Sequence, residues 1–365
     1  MDKTRARRPN PRARTGGSIA KAVIQAITLA VVVGAAAYAL GALWRPFGAA
    51  PATADQASVG SSSAPAAAGS SASPSASTAS VAGYKKVELA TIGYGSTSDT
   101  VGMLVPKGSR PRGPSSFAVA PDGTIYVGDD ANGRVQAFTS AGKHVRSIKV
   151  DEPIRNLVLG GSDLMVLTSR AEVLAYDRTN GQARGRWALE GAPARSLGQL
   201  RFVAGELAVE SPEQVTYPLV TGSAASLSAI PAADQERQSK KGGKGASGSY
   251  YSTSYRDGGH IYRLDGQGKV TQDLALGLPN VLSVVFLDED RSGNAFAQVE
   301  TRDENGAVAV AVWRFDKHGK QTAVLPLEPL TYVPMVRSVV IAEDGSVYQA
   351  IPSKDSMRLV KWVAP

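Results

Sequence analysis

The feature that most constrains the fold is a repeated unit of short β-type segments, first visible in residues 117–150. This stretch contains FAVA, TIYVG, RVQAF and HVRSIKV, separated by Pro-Asp-Gly, Asn-Gly and Ala-Gly-Lys. Short segments joined by Asp-Gly and Asn-Gly are typical of antiparallel hairpins. The Gly of the last turn recurs at intervals of 39, 41, 46 and 51 residues, at Gly142, Gly181, Gly222, Gly268 and Gly319.

A period of about 40–50 residues with four strands in each unit predicts a β-propeller. The units number six, and the fourth is the least regular; their bounds are 114–150, 151–191, 192–230, 231–278, 279–328 and 329–365. The predicted fold is therefore all-β, a six-bladed β-propeller spanning residues 84–365. The fourth unit also contains an insertion at 234–255, which we expect to form a disordered basic loop without a function; the alternative is a mobile loop that contacts a partner through its lysines and tyrosines.

The last unit ends after three strands, so its fourth, outer strand must come from elsewhere. The segment AGYKKVELA at 82–90 matches AGKHVRSIK at 141–149, which contains the outer strand of the first unit. We therefore expect residues 84–92 to supply the outer strand of blade six. Pairing the first strand with the last closes the ring and removes an open sheet edge. Residues 93–113 would then cross to the start of blade one.

The N-terminal 83 residues are predicted to be a membrane anchor and a tether. A basic tail at 1–21 precedes 23 residues without a charge at 22–44, enough for one transmembrane helix. The excess of positive charge before this span predicts a cytoplasmic N-terminus and a propeller in the periplasm or outside the cell. A cleaved signal peptide is the alternative, since Ala-Thr-Ala at 52–54 is typical of a cleavage site. Residues 45–83, rich in Ala, Ser and Pro, are predicted to be a flexible, disordered linker.

The charge distribution argues against nucleic acid as a partner. The net charge is +8, but eight of the 40 Lys and Arg residues precede residue 84, and only Asp2 and Asp55 of the 32 acidic residues do. The predicted propeller is therefore nearly neutral, without the basic excess of a nucleic-acid-binding domain. The chain contains no cysteine, which excludes disulfides and thiol nucleophiles.

The first unit contains the segment PSSFAVAPDGTIYVGDDANGRVQAF. This segment resembles an NHL repeat, which it matches at Pro114, Val119, Asp122, Gly123, Tyr126, Val127, Asp129, Asn132, Arg134, Val135, Gln136 and Phe138. It departs at Ser116, where the family usually has Gly, and the other five units match weakly. The resemblance implies a propeller, often six-bladed, that mostly binds partners; a minority of such proteins are enzymes.

The sequence offers no recognisable catalytic set. His144 and His318 lie in predicted turns, and His260 opens a predicted strand. Asp288, Asp290 and Ser292 have spacing similar to a calcium-binding loop, but Val299 stands where the bidentate Glu belongs, so a turn is the simpler interpretation. We therefore predict no catalytic residue, no cofactor and no metal.

Three arginines are the candidate binding residues. Arg155, Arg195 and Arg337 occur in similar contexts in three units, where the innermost strand is predicted to begin. Such starts surround one mouth of a propeller's channel, so the three guanidiniums could bind a carboxylate or phosphate. The alternative is a structural role in which each Arg pairs with an acidic neighbour such as Asp129 or Asp130.

The predicted function is non-catalytic recognition of a protein, peptide or envelope glycan by a membrane-tethered propeller outside the cytoplasm. The alternative is a propeller hydrolase or lyase with its site in the central channel. Carboxylates or His facing the channel would favour the enzyme, whereas Arg and Ser alone would favour binding.

Overall fold

The described residues of the computed structural model, 83–189, 198–221 and 228–365, form a six-bladed β-propeller. Strand β1 spans Lys85–Gly93. Blade one consists of β2 (Phe117–Val119), β3 (Ile125–Asp129), β4 (Arg134–Phe138) and β5 (His144–Lys149), with a 3-10 turn at Asp130–Asn132. Blade two consists of β6 (Ile154–Gly160), β7 (Asp163–Thr168), β8 (Glu172–Asp177) and β9 (Ala183–Ala188).

Blades three and four are the less regular part of the ring. Blade three consists of β10 (Gln199–Val203), β11 (Glu206–Glu210), β12 (Val215–Thr221) and β13 (Ser228–Ala229), and β14 (Lys240–Lys241) also pairs with β12. Helix α1 (Ala232–Gln238) connects β13 to β14. Blade four consists of β15 (Gly243–Lys244), β16 (Tyr250–Ser254), β17 (His260–Leu264) and β18 (Val270–Ala275). The prediction of a disordered loop at 234–255 is therefore wrong, because helix α1 and strands β14 to β16 occupy most of this segment.

The last two blades are regular, and the second is completed by the N-terminal strand. Blade five consists of β19 (Val281–Glu289), β20 (Ala295–Arg302), β21 (Val308–Phe315) and β22 (Gln321–Pro326). Blade six consists of β23 (Val339–Ile341), β24 (Val347–Pro352) and β25 (Ser356–Val363), with β1 as its outer strand. The antiparallel pairing of β1 with β25 runs from Lys85↔Val363 to Gly93↔Ser356. It is the closure that the repeat pattern predicts.

The apolar core lies between neighbouring blades. Five clusters of buried side chains each join two blades: one with two, two with three, four with five, five with six, and six with one. In the described part of the chain, no such cluster joins blades three and four. Polar contacts take its place there. The Thr216 hydroxyl donates to the Gly242 carbonyl at 2.6 Å, and Lys244 pairs with Glu206 at 2.8 Å.

The predicted membrane span at 22–44 and linker at 45–83 lie outside the described residues. Within the described ranges, no helix is long and apolar enough to cross a membrane.

Candidate functional site

Two of the three candidate arginines lie where the innermost strands begin. Arg155 is the second residue of β6, and Arg337 precedes β23 and forms a parallel bridge with Ser116 of blade one. Each stands two residues before the matching inner-strand residue, Leu157 or Val339. Arg195 lies outside the described residues. The structure thus places Arg155 and Arg337 at equivalent positions in the two blades that flank blade one.

A second set of charged side chains lies deeper along the inner strands. The strand registers align one position in all six blades, occupied in order by Ala118, Val158, Arg201, Gly243, Asp288 and Val340. Blades one, two and six carry small or apolar residues at this position. Blades three and five carry opposite charges, and blade four has a glycine between them.

Arg201 spans from blade three to blade five across that glycine. Its guanidinium donates to the carbonyls of Leu287 at 2.9 Å and Phe286 at 3.0 Å, and it lies 4.9 Å from the centroid of the Phe286 ring. Its Nε also donates to Glu210 at the end of β11. A Cβ at Gly243 would come within 3.1 Å of Arg201 Nη2 and 2.7 Å of Glu210 Oε2. Glycine at this position therefore makes room for the crossing.

Asp288 lies between Arg201 and Arg337, one of the three candidate arginines. Its carboxylate lies 3.9 Å from Arg201 and 3.8 Å from Arg337. A β-bulge between Phe286 and Asp288 shifts the strand by one residue and brings the aspartate into register with Arg201. Arg201, Glu210, Asp288 and Arg337 form what we term the channel cluster, with two positive and two negative side chains.

Arg337 has hydrogen-bonding capacity that the residues described by the structure do not use. Its side chain is only 12% exposed, and its ion pair with Asp288 is longer than a hydrogen bond. No oxygen of the described residues accepts a hydrogen bond from its guanidinium. A guanidinium carries five N–H donors, so Arg337 retains donors for an external oxygen.

Burial sets the electrostatics of the channel cluster. Burial raises the pKa of Asp288, even though the Arg201 and Arg337 guanidiniums lower it. Burial likewise lowers the pKa of Arg337; the Asp288 carboxylate opposes this effect, and the positive charge of Arg201 adds to it. An incoming anion would relieve both the desolvation of Arg337 and its repulsion from Arg201.

Three apolar side chains are exposed near the starts of the inner strands of blades five and six. Leu282 and Val285 of β19 and Val336 before β23 are 38%, 38% and 39% exposed. The residues that match Val285 in blades one and two, Ser116 and Asn156, are fully buried. Their side chains accept hydrogen bonds from the backbone N–H groups of the next blade, at 3.0 and 2.9 Å. Apolar groups are thus exposed on the inner strand of blade five and just before the inner strand of blade six, which Arg337 also precedes.

The residues of the NHL-like motif hold the crossing segment in place. Asp129, which is fully buried, pairs with Arg134 at 2.8 Å and accepts the N–H of Gly102 at 2.7 Å. Arg134 donates to the carbonyls of residues 96, 97 and 100, and Gln136 donates to those of 98 and 100. Asp130 pairs with Arg112. The two aspartates considered as partners for the candidate arginines therefore pair with other residues.

The histidines lie outside the channel cluster, and the cation-like stretch after Asp288 folds as a turn. His144 begins the outer strand β5, His318 lies in the turn before β22, and His260 bonds Asp273 at 2.9 Å. The Asp290 carboxylate accepts the N–H groups of Ser292 and Asn294, which makes the stretch a turn closed by its own aspartate. Across the described ranges, no group of three or more His, Asp or Glu side chains is placed to hold a metal ion.

Sequence reasoning missed Arg201, Glu210 and Asp288. Asp288 was considered only as part of a cation-like loop, and Arg201 sits in QLRFV, which reads as an ordinary strand. One signal was present, since Gly242 and Gly243 interrupt the place where blade four needs an inner strand. A glycine inside a strand often marks a close approach by another group.

Comparison with known proteins adds information about the fold only. No protein-family model matches the chain, and no curated protein matches its sequence. Among solved structures, it is similar to hydrazine synthase of Kuenenia stuttgartiensis, with 12% identity and a TM-score of 0.45 over 67% of this chain and 76% of that one. It is also similar to a streptogramin B lyase, with 11% identity and a TM-score of 0.42 over 77% of this chain and 98% of that one. A virginiamycin B lyase from Staphylococcus aureus has 8% identity and a TM-score of 0.43 over 77% of this chain and 100% of that one.

Identities and TM-scores this low carry no argument about function. The chain is a six-bladed β-propeller, and its function has to be inferred from its own side chains.

Proposed function

We propose that this propeller is a binding module whose ligand is a protein or peptide that presents a carboxylate beside an apolar side chain. The observation that carries the proposal is Arg337, a largely buried guanidinium at the channel mouth to which no described residue offers a hydrogen-bond acceptor. Guanidinium and carboxylate match in geometry, and two parallel hydrogen bonds can form between them. Leu282, Val285 and Val336 would contact the apolar part of such a ligand. Arg155, at the equivalent position of blade two, and Arg195 remain candidates for a second contact.

The channel cluster favours recognition over catalysis. Both of its carboxylates are close to guanidiniums, and none of the three histidines lies beside it. One observation favours the alternative of a hydrolase or lyase, namely the raised pKa of Asp288, since catalytic acids often have such shifts. Asp288 lies between two arginines that would hold it in place, which also suits a structural carboxylate.

We also propose that the module works outside the cytoplasm and is tethered to a membrane, as a single-pass protein with a cytoplasmic N-terminus. This part rests on the charge-free stretch at 22–44, the basic tail before it and the Ala/Ser/Pro-rich linker after it. The ligand would then be a component of the cell envelope or an exported protein.

The test measures the affinity of the full-length chain for short peptides that end in leucine, with a free or an amidated C-terminus. The free form should bind more tightly, and Arg337→Ala should weaken its binding by about 1.5–3 kcal/mol, the scale of a hydrogen bond to a charged group. Arg337→Lys keeps the charge but loses the planar fork, so it should recover only part of the affinity. Arg112→Ala, an exposed arginine paired with Asp130, is the matched control and should leave binding unchanged.

The same variants distinguish a binding site from architecture. If Arg337→Ala lowers the melting temperature by several degrees while peptide affinity stays the same, Arg337 is structural and the proposal is wrong. Equal binding of the free and amidated peptides would also contradict it.

A further inference from the structure

A basic finger projects from the crossing segment, and nothing in the site described above uses it. It consists of residues 104–112, with the sequence LVPKGSRPR. Two backbone hydrogen bonds between Leu104 and Arg112, at 2.7 and 2.8 Å, close its base. The N–H of Ser109 donates to the Pro106 carbonyl, and Gly108 has a φ of +74°, so the tip is a defined turn.

The finger exposes two adjacent apolar side chains. All residues from 104 to 110 are exposed, and Leu104 and Val105 are 45% and 64% exposed. In a domain whose core buries most of its large apolar side chains, two adjacent exposed ones on a short hairpin are available for contact with something else.

The finger is also purely cationic. Lys107, Arg110 and Arg112 lie on it, and residues 100–121 contain no Asp or Glu. Arg112 pairs with Asp130, whereas Lys107 and Arg110 form no ion pair within the described part of the chain. Two cations that have no counter-charge among the described residues therefore share this hairpin with the exposed Leu104 and Val105.

We propose that the basic finger docks on an anionic lipid surface, with Leu104 and Val105 entering the headgroup region and Lys107 and Arg110 contacting lipid phosphates. Apolar groups that enter a bilayer surface beside cations that face anionic lipids form a recurrent mode of peripheral membrane binding. The charge of the finger is complementary to anionic headgroups. This inference is independent of the ligand at Arg337.

The absence of cysteine from the chain allows a direct test in the full-length protein. Val105→Cys carries an environment-sensitive dye, and the protein is reconstituted in nanodiscs of phosphatidylcholine alone or mixed with phosphatidylglycerol. We expect a blue-shifted emission, quenched by nitroxide-labelled lipid, in the mixed discs only. The matched control is Val270→Cys, an exposed valine at the start of β18 in blade four, whose emission should be the same in both discs.

Reversing the charge of the finger's basic residues, and quenching by labelled lipid, test whether the finger contacts the membrane. Lys107→Glu and Arg110→Glu in the Val105→Cys background should each weaken the response at least about fivefold, from roughly 1 kcal/mol per basic residue at an anionic surface. Added salt should weaken it further. Equal emission in both kinds of disc overturns the proposal. A blue shift that nitroxide lipids do not quench also overturns it, because the finger would then be contacting protein.

Discussion

The interface between blades one and two and the interface between blades three and four are built by different means. The first is apolar, with Ala118, Val135 and Ile148 of blade one packed against Leu157 and Leu164 of blade two. The second is polar. There Gln214 of blade three donates to the Thr253 carbonyl at 3.1 Å, and Arg201 crosses over Gly243 to blade five. Both interfaces belong to the same ring, so the propeller geometry does not require one kind of contact.

The difference between the two interfaces shows which kind of contact a sequence repeat can indicate. Regular alternation of apolar residues reports an interface held by the hydrophobic effect, which depends on area and tolerates exchange among apolar side chains. The fourth unit has the weakest pattern because its inner strand is reduced to Gly243–Lys244, and directional hydrogen bonds replace the missing apolar contacts. Such contacts depend on single side chains, so the polar interface should be the more sensitive to point substitution.

The largest expected effect comes from Arg201→Ala. Arg201 is 6% exposed, and its loss would leave Glu210 and the carbonyls of Phe286 and Leu287 without their donor. Breaking a buried ion pair on one side costs about 3–5 kcal/mol. Urea unfolding followed by tryptophan fluorescence measures the change. Val158, at the same register position in blade two, packs against the apolar cluster that joins blades two and three, so Val158→Ala should cost less; an equal or greater cost would contradict the contrast between polar and apolar interfaces.

A smaller effect is expected from Gly243→Ala. The added Cβ would approach Glu210 Oε2 to 2.7 Å and the Phe286 ring to 2.9 Å, so the crossing of Arg201 must shift, and overpacking of this kind typically costs about 1–3 kcal/mol. The matched exchange is Gly93→Ala at the end of β1, where an added Cβ meets nothing within 4 Å, so the change should be neutral or slightly stabilising. Thermal unfolding of both variants tests the order. If Gly243→Ala is neutral or stabilising, the glycine is not there to accommodate the arginine.

The smallest expected effect is a pH dependence in blade four. The hydrogen bond with Asp273 raises the pKa of His260 above its ordinary value of 6.5. A raised pKa in the folded state stabilises the protein fully below about pH 6.5, and this contribution is lost as pH rises through the folded-state value. Asp273 is 46% exposed, so solvent keeps the contribution small. Unfolding free energies across this pH range should show a shallow decline that His260→Gln removes; the same decline in that variant would assign it to another group.

Much of the fold could be predicted because it depends on local patterns. The Asp-Gly turn at Asp122 and Gly123, the Gly142 turn and the alternating segments between them define a four-stranded unit without any knowledge of distant contacts. The closing strand was also predictable. The last unit has three strands and lacks an outer one, and the lone segment at 84–92 resembles the outer strand of the first unit. The position of Arg337 at the start of an inner strand follows from the same alignment.

The candidate site was only partly predictable, because its chemistry depends on side chains brought together from distant segments. Arg201 and Asp288 are 87 positions apart and occupy the same register in two blades that are not adjacent. Their approach requires a bulge in β19 and a glycine in β15. Each is a small departure from regular strand structure, and nothing in the sequence indicates that the two act together.

The sequence by itself determined the number of blades, their order and the strand that closes the ring, because turns and alternation act over a few residues and repeat at a visible period. Only the tertiary structure decided which charges are neutralised and which keep free donors. The motif residues Asp129 and Arg134 hold the crossing segment, whereas Arg337 lies 3.8 Å from Asp288, farther than a hydrogen bond. The physical reason is that an ion pair depends on distances between side chains of different blades, and these distances are set by how the blades pack around the channel.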